Sequence, residues 1–278
     1  MKFEIITIFP DFFRGPLDYG IVRRARDAEI IDIAIHDLRA FAHDRHKTVD
    51  DRPFGGGEGM VLKPEPLFEC VESLGVAPRA ERLSRPQSGE SVIVLSAQGR
   101  LYEQSMAAEL AALERIVLIC GRYEGVDERV MEHLADREVS IGNFVMSGGE
   151  LGAALIVDTV TRLLQGALGN EASSQHESFS ALKAPARCDE RGRAQPDSTV
   201  SAGGLLDYAH YTRPAEFRGM AVPEVLLNGN HEQIRRWRKR CALEKTLRNR
   251  PDLLRQAELS QEEQALLEEI GHDGQHRF

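Results

Sequence analysis

Short apolar runs alternate with amphipathic stretches through the first part of the chain. Residues 3–9, 30–35, 91–95, 116–120 and 139–141 are compact apolar segments and predict short buried strands. Between them, residues 101–113 and 128–135 carry apolar positions at helical spacing, and residues 151–164 predict a longer amphipathic helix that opens just after a glycine pair. Strands alternating with helices predict an α/β domain built on a largely parallel sheet.

The texture changes near Gly169. Residues 170–204 hold few apolar side chains and include Pro185, Gly192, Pro196, Gly203 and Gly204 among mixed charges. So long a stretch without periodicity is unusual inside a compact domain and predicts a flexible linker. The expected organisation is therefore a domain over residues 1–169, a linker over 170–204 and a smaller helical domain over 205–278. Helices are expected at residues 231–248, 251–257 and 261–270, the last capped by Ser260 with Glu263 as its capping-box partner.

Composition narrows the picture. The 278 residues, 42% of them hydrophobic, suffice for one large or two moderate cores. No apolar run reaches bilayer length, and the first ten residues lack the basic flank and cleavage site of a signal peptide, so a cytoplasmic chain with no membrane partner is expected. Cys70, Cys120, Cys188 and Cys241 are too scattered for a zinc or dithiol motif. A net charge of −9 argues against a polyanionic partner. Residues 231–250 nevertheless carry Arg235, Arg236, Arg238, Lys239, Arg240, Lys245, Arg248 and Arg250 against only Glu232 and Glu244. Read alone, that run is a solvated helix face.

Familiar phosphate, zinc and serine-hydrolase motifs are absent. Gly55, Gly56, Gly57 and Gly59 lack the Lys and Ser/Thr that complete a P-loop. There is no nucleophile elbow. What does stand out is a set of three glycine-bearing loops after predicted strands: residues 95–99, 120–125 and 140–150. Ligands of open α/β sheets sit where strands end, and glycine there lets a ligand approach the backbone closely. Any one of these loops alone reads as an ordinary turn.

Their combination carries a resemblance. The strings HDRHKTVDDRPFGGGEGM, VLSAQGR, CGRYEGVDERV, SIGNFVMSGGE, LLDYAHYTRP and VPEVLLNGNHEQIRRWR occur in one order from the first strand to the final helices. Together they resemble the bacterial tRNA (guanine-N1)-methyltransferase family. The resemblance implies a SPOUT-type α/β fold with a deep trefoil knot, S-adenosylmethionine held by the knot loops, a homodimer with shared active sites, and tRNA as substrate. On the matching positions, Leu95, Ser96, Ala97, Gly121, Tyr123, Glu124, Ile141, Gly142, Asn143, Phe144, Val145, Met146, Gly148 and Gly149 would line the donor site. The family usually has Pro where Ala97 stands and Asp-Tyr where Asn143-Phe144 stands. Main-chain contacts survive those changes.

Methylating guanine N1 requires loss of the N1 proton, hence a carboxylate base within reach, and a cation where charge grows on O6. The resemblance points to Glu177 as the base, where the family has Asp, and to Arg162 as the O6 partner. It associates Glu124 with an assisting Mg²⁺, for which Glu124 and Glu177 are the candidate ligands. His46, Asp50, Arg52, Gly55, Gly57 and Gly59 would meet the target nucleotide and the partner subunit. Glu58 replaces a common Pro there. Tyr211, Arg213, Arg235, Arg236 and Arg238 would hold the anticodon stem-loop, and residues 182–202 form an insert beyond the family's linker that reads as disordered. The implied target is guanosine 37, beside the anticodon. The alternatives are a knotted methyltransferase acting on another RNA site and a catalytically silent RNA-binding homologue.

Overall fold

The computed structural model describes residues 1–84, 89–168, 177–179 and 204–275. The linker and insert expectations fall almost wholly outside them, as does Cys188. The chain divides into two compact units, Met1–Gly169 and Asn170–Phe278.

The first unit runs β1 (Lys2–Thr7), α1 (Gly20–Asp27), β2 (Asp32–Asp37), β3 (Asp50–Asp51), β4 (Val61–Leu62), α2 (Pro64–Ser73), α3 (Arg79–Ser84), β5 (Glu90–Leu101), α4 (Gln104–Ala111), β6 (Arg115–Cys120), α5 (Glu128–His133), β7 (Arg137–Ser140) and α6 (Glu150–Thr161). Five strands form one parallel sheet in the order β2-β1-β6-β5-β7. Strand alternation sends Phe3, Ile5, Ile93, Ile116 and Leu118 to one face, where Val22 of α1, Met106 and Leu110 of α4, and Ile156 and Val160 of α6 cover them. Ile6, Val92, Val94, Val117 and Ile119 point the other way, against Leu67 and Val71 of α2 and Val130 of α5. Burial on both faces explains why these strands read as continuous apolar runs. Each fully buried Ile or Leu contributes about 1.5–3 kcal/mol.

Several expectations are corrected here. The strand expected at residues 30–35 lies at Asp32–Asp37 and is not buried, because it is the sheet edge and pairs only with β1. Residues 95–99 are not a turn after a strand. They bulge within β5, where Val139 pairs first with Leu95 and again with Arg100. That extension displaces the following helix to Gln104–Ala111. The helices α1 to α3 were missed. Pro64 and Pro66 make α2 look like a loop, yet proline in the first turn of a helix forfeits no hydrogen bond. The last of the three, α3, is anchored by Arg82, whose Nε and Nη2 donate to Asp136 at 2.8 and 3.0 Å with both side chains buried. Asp136 also accepts from Val92 N at 2.8 Å, which fixes the entry to β7.

The second unit comprises a hairpin of β8 (Glu216–Phe217) and β9 (Met220–Ala221), then α7 (His231–Asn249), α8 (Pro251–Gln256) and α9 (Gln261–Gln275). Leu205, Leu243 and Leu266 form its core. The Ser260–Glu263 capping box is present: Ser260 N and Oγ both donate to Glu263 Oε2, at 2.8 and 2.6 Å. The basic face of α7 is largely matched by the acidic helix α9. Arg235 and Lys239 both bind Glu262, at 2.8 and 2.7 Å, and Arg236 binds Glu269 at 2.9 Å.

Arg235 first, then Lys239, hold the Glu262 carboxyl at about 2, below its ordinary 4.5. A depressed folded-state value means that the stabilisation is complete above pH 4.5 and is lost as pH falls through about 2. Glu262→Gln should therefore lower stability at neutral pH by about 1 kcal/mol or less, since the cluster is partly exposed. It should also remove part of the wild-type fall in melting temperature between pH 5 and 2. Parallel acid profiles for the two proteins would contradict this.

Candidate active site

Three segments converge: the bulge within β5 and the loops that follow β6 and β7. They enclose a cavity of about 320 Å³, within the usual range for small-molecule sites. All donor-site residues named from the resemblance line it, except Asn143. Asn143 sits at the tip of a tight turn closed by Phe144 N donating to Gly142 O at 2.8 Å.

Glycine is required here for closeness of approach. A Cβ on Gly149 would lie 2.8 Å from Cys120 Cα and 3.0 Å from Leu95 Cβ, so this one position touches both other loops. A Cβ on Gly121 would lie 2.7 Å from the Leu95 carbonyl oxygen. The loops are joined by Gly149 N donating to Gly121 O at 2.9 Å and by a bridge between Arg122 and Gly148. The result is a glycine-lined rim with Leu95, Ile141, Val145 and Met146 as apolar walls. Such a cradle suits a small ligand that presents hydrogen-bonding edges to the main chain and an apolar face to the walls. Burial, with the nearby Glu150 carboxylate, pushes the Cys120 thiol well above its ordinary range, which leaves it protonated and inert as a nucleophile.

The Asp/Gly-rich segment is docked onto the same loops. Antiparallel pairing of β3 with β4 closes residues 52–60 into a loop, and Glu124 N donates to Met60 O at 3.0 Å. Leu62 N donates to Gly125 O and Asp127 N to Leu62 O, both at 3.0 Å. The Glu124 side chain packs against Gly59, where an added Cβ would meet it. Burial and the Asp50 carboxylate raise the Tyr123 phenol above its ordinary value, while Arg39 opposes them. His46, Arg52, Gly55 and Gly57 are exposed, and Phe54 beside them is fully so. This surface is open to a large partner.

Arg162 is the C-cap of α6 in the first unit. Glu177 belongs to the second unit, in a segment fastened to the start of its helical part. Phe179 N donates to Leu205 O at 3.0 Å and Asp207 N to Ser178 Oγ at 2.9 Å. In the same unit Arg238 stacks over Tyr208 at 4.9 Å and Tyr211 lies 6.2 Å from Trp237. Among the described residues no group of three His, Cys, Asp or Glu side chains could hold a metal. Mg²⁺ is commonly held by one or two carboxylates and several waters, and Glu124 is a carboxylate at this cavity.

Two residues were not singled out from sequence: Arg122, which lines the cavity, and its ion-pair partner Glu150 behind it. Both stand inside the strings CGRYEG and MSGGE. The available signal was a charged residue immediately beside the glycines.

A family model described as "tRNA (Guanine-1)-methyltransferase TrmD" matches residues 1–256. The chain is 63% identical over 270 residues to a tRNA (guanine-N(1)-)-methyltransferase of Koribacter versatilis, covering 97% of this chain and 98% of the relative. Proteins with the same description from Moorella thermoacetica and Geobacter sulfurreducens are 48% and 45% identical. They cover 97% and 99% of this chain, and 96% and 100% of their own lengths.

Proposed function

Because the chain belongs to the tRNA (guanine-1)-methyltransferase family, we propose that it moves the methyl group of S-adenosylmethionine to N1 of guanosine 37 in the cytoplasm. The observation that carries the reading is the triple contact at Gly149, which brings three segments into one glycine-lined cradle. When bound, the donor supplies an electrophilic methyl on a sulfonium leaving group. The loops at Leu95–Ala97, Gly121–Glu124 and Ile141–Gly149 hold and orient it. Glu177 takes the N1 proton, and Arg162 stabilises the charge that grows on O6. Glu124, packed on Gly59, forms the junction between the donor site and the nucleotide-facing loop.

The tRNA lies along residues 43–60 and the second unit. His46, Asp50, Arg52, Gly55, Gly57 and Gly59 meet the target nucleotide. Tyr211, Arg213 and Arg238 offer rings and cations to unstacked bases and phosphates. For Arg235 and Arg236, a phosphate contact exchanges one anion for another, since Glu262 and Glu269 already bind them. The trefoil knot belongs to the same reading.

So does a homodimer with shared active sites. Leu151 and Leu155, one turn apart on α6, are 60% and 37% exposed. An apolar patch of this kind marks an interface. Wild type should sediment at twice the chain mass, and a Leu151→Lys, Leu155→Lys variant at the chain mass. An active wild-type monomer would contradict the dimer. The product decides the chemistry. Nucleoside digestion of a methylated tRNA transcript should give 1-methylguanosine. A ribose-methylated nucleoside would overturn the reading.

A further inference from the structure

Glu150 is the first residue of α6 and 1% exposed, at the helix end where negative charge is favoured. It is fully engaged. Arg122 Nε donates to Oε2 at 3.0 Å and Nη2 lies 2.9 Å from the same oxygen, while Thr7 Oγ1 donates to Oε1 at 2.8 Å. The guanidinium does more than pair. Its Nη1 donates to Ser147 O at 2.9 Å, its flat face lies over the Phe9 ring at 4.6 Å, and its Nε packs so closely on Gly148 that no side chain fits there. Phe9 N in turn donates to Thr7 Oγ1 at 3.0 Å. One buried pair thus joins the end of β1, the loop after β6, the loop after β7 and the start of α6.

We propose that Arg122 and Glu150, braced by Thr7, are positioning residues for methyl transfer. They set the spacing between the loops that carry Gly121 and Gly149, and so the fit of the methyl donor. The inference rests on the reading that S-adenosylmethionine occupies the cavity. The Arg122 fork makes contacts on three sides at once, which a lysine ammonium cannot reproduce. Charge alone is therefore insufficient. Thr7 and Glu150 do not line the cavity and act through the loops.

The test uses full-length enzyme carrying Arg122→Lys, Glu150→Gln or Thr7→Val, with S-adenosylmethionine as the probe in calorimetry and in steady-state assays. Arg122→Lys and Glu150→Gln should raise the donor Kd and KM by roughly tenfold, the scale of one lost charge-assisted hydrogen bond. Their kcat should change less than about threefold and their KM for tRNA should stay near wild type. Thr7→Val should shift the donor KM in the same direction by a smaller factor, and it keeps the test alive if the charged variants fail to fold. A merely structural pair would lower the fraction of active enzyme and leave the donor KM of the active molecules unchanged. That result, or a loss confined to kcat or to tRNA KM, overturns the proposal. If wild type itself does not bind S-adenosylmethionine, the reading of the cavity fails instead.

Discussion

Glu177→Gln is expected to slow single-turnover methyl transfer by about a hundredfold or more, the usual scale for losing general-base help. Donor binding should be normal and tRNA binding nearly so, because the amide keeps the shape of the carboxylate. The segment that carries it is set by main-chain and Ser178 contacts, which the substitution does not touch. Wild type should gain rate with rising pH as the N1 proton becomes easier to remove, and the Gln variant should recover part of its deficit at high pH. Glu177→Asp should retain activity, since one methylene less still leaves a carboxylate. The rival base is Glu124. If Glu124 took the proton, Glu177→Gln would match wild type at every pH.

Gly149→Ala should weaken donor binding by between about fivefold and about 150-fold, the equivalent of the roughly 1–3 kcal/mol that overpacking costs. Its new methyl would meet the Cys120 Cα at 2.8 Å, the Leu95 Cβ at 3.0 Å and the Gly121 amide nitrogen at 3.1 Å. Two of those are main-chain atoms at the end of a central strand, and neither can rotate away. The loops must separate instead. Gly55→Ala is the control. Nothing lies within 4 Å of its added carbon, and its φ of +85° adds only local strain in an exposed loop. Donor affinity should be unchanged there. Equal calorimetric titrations for Gly149→Ala and wild type would contradict the close-packed cradle.

The strands β1, β5 and β6 were legible because buried apolar residues cluster in them, whereas β7 reads REVS, with Val139 its one apolar residue, and begins two residues before the expected 139–141. The edge strand β2 misled for the same reason in reverse: half-exposed, it reads DIAIHD, and the apolar run chosen for it began too early. The bulge at residues 95–99 could not be read from a single strand, because it exists only in the doubled pairing with Val139. The glycines of the site were visible as a pattern. Their reason was not, since the close approach of Gly149 to Leu95 and Cys120 joins residues far apart in sequence. Charge was the least legible quantity. The run at residues 231–250 looked like free basic surface, but the acids that answer Arg235, Arg236 and Lys239 come from α9, some thirty residues on. Arg122 and Glu150 stand beside the glycines as charged residues, but that they pair joins two motifs and has no signature within either.

Primer extension across a methylated tRNA transcript tests the central claim most directly. Incubated with enzyme and S-adenosylmethionine, a transcript with guanosine at position 37 should give a new strong stop at that position, because a methyl on N1 blocks base pairing. The same transcript with adenosine 37 should give none. Methylation of the adenosine-37 transcript at another guanosine, or no stop on the guanosine-37 transcript with active donor-binding enzyme, would contradict the account.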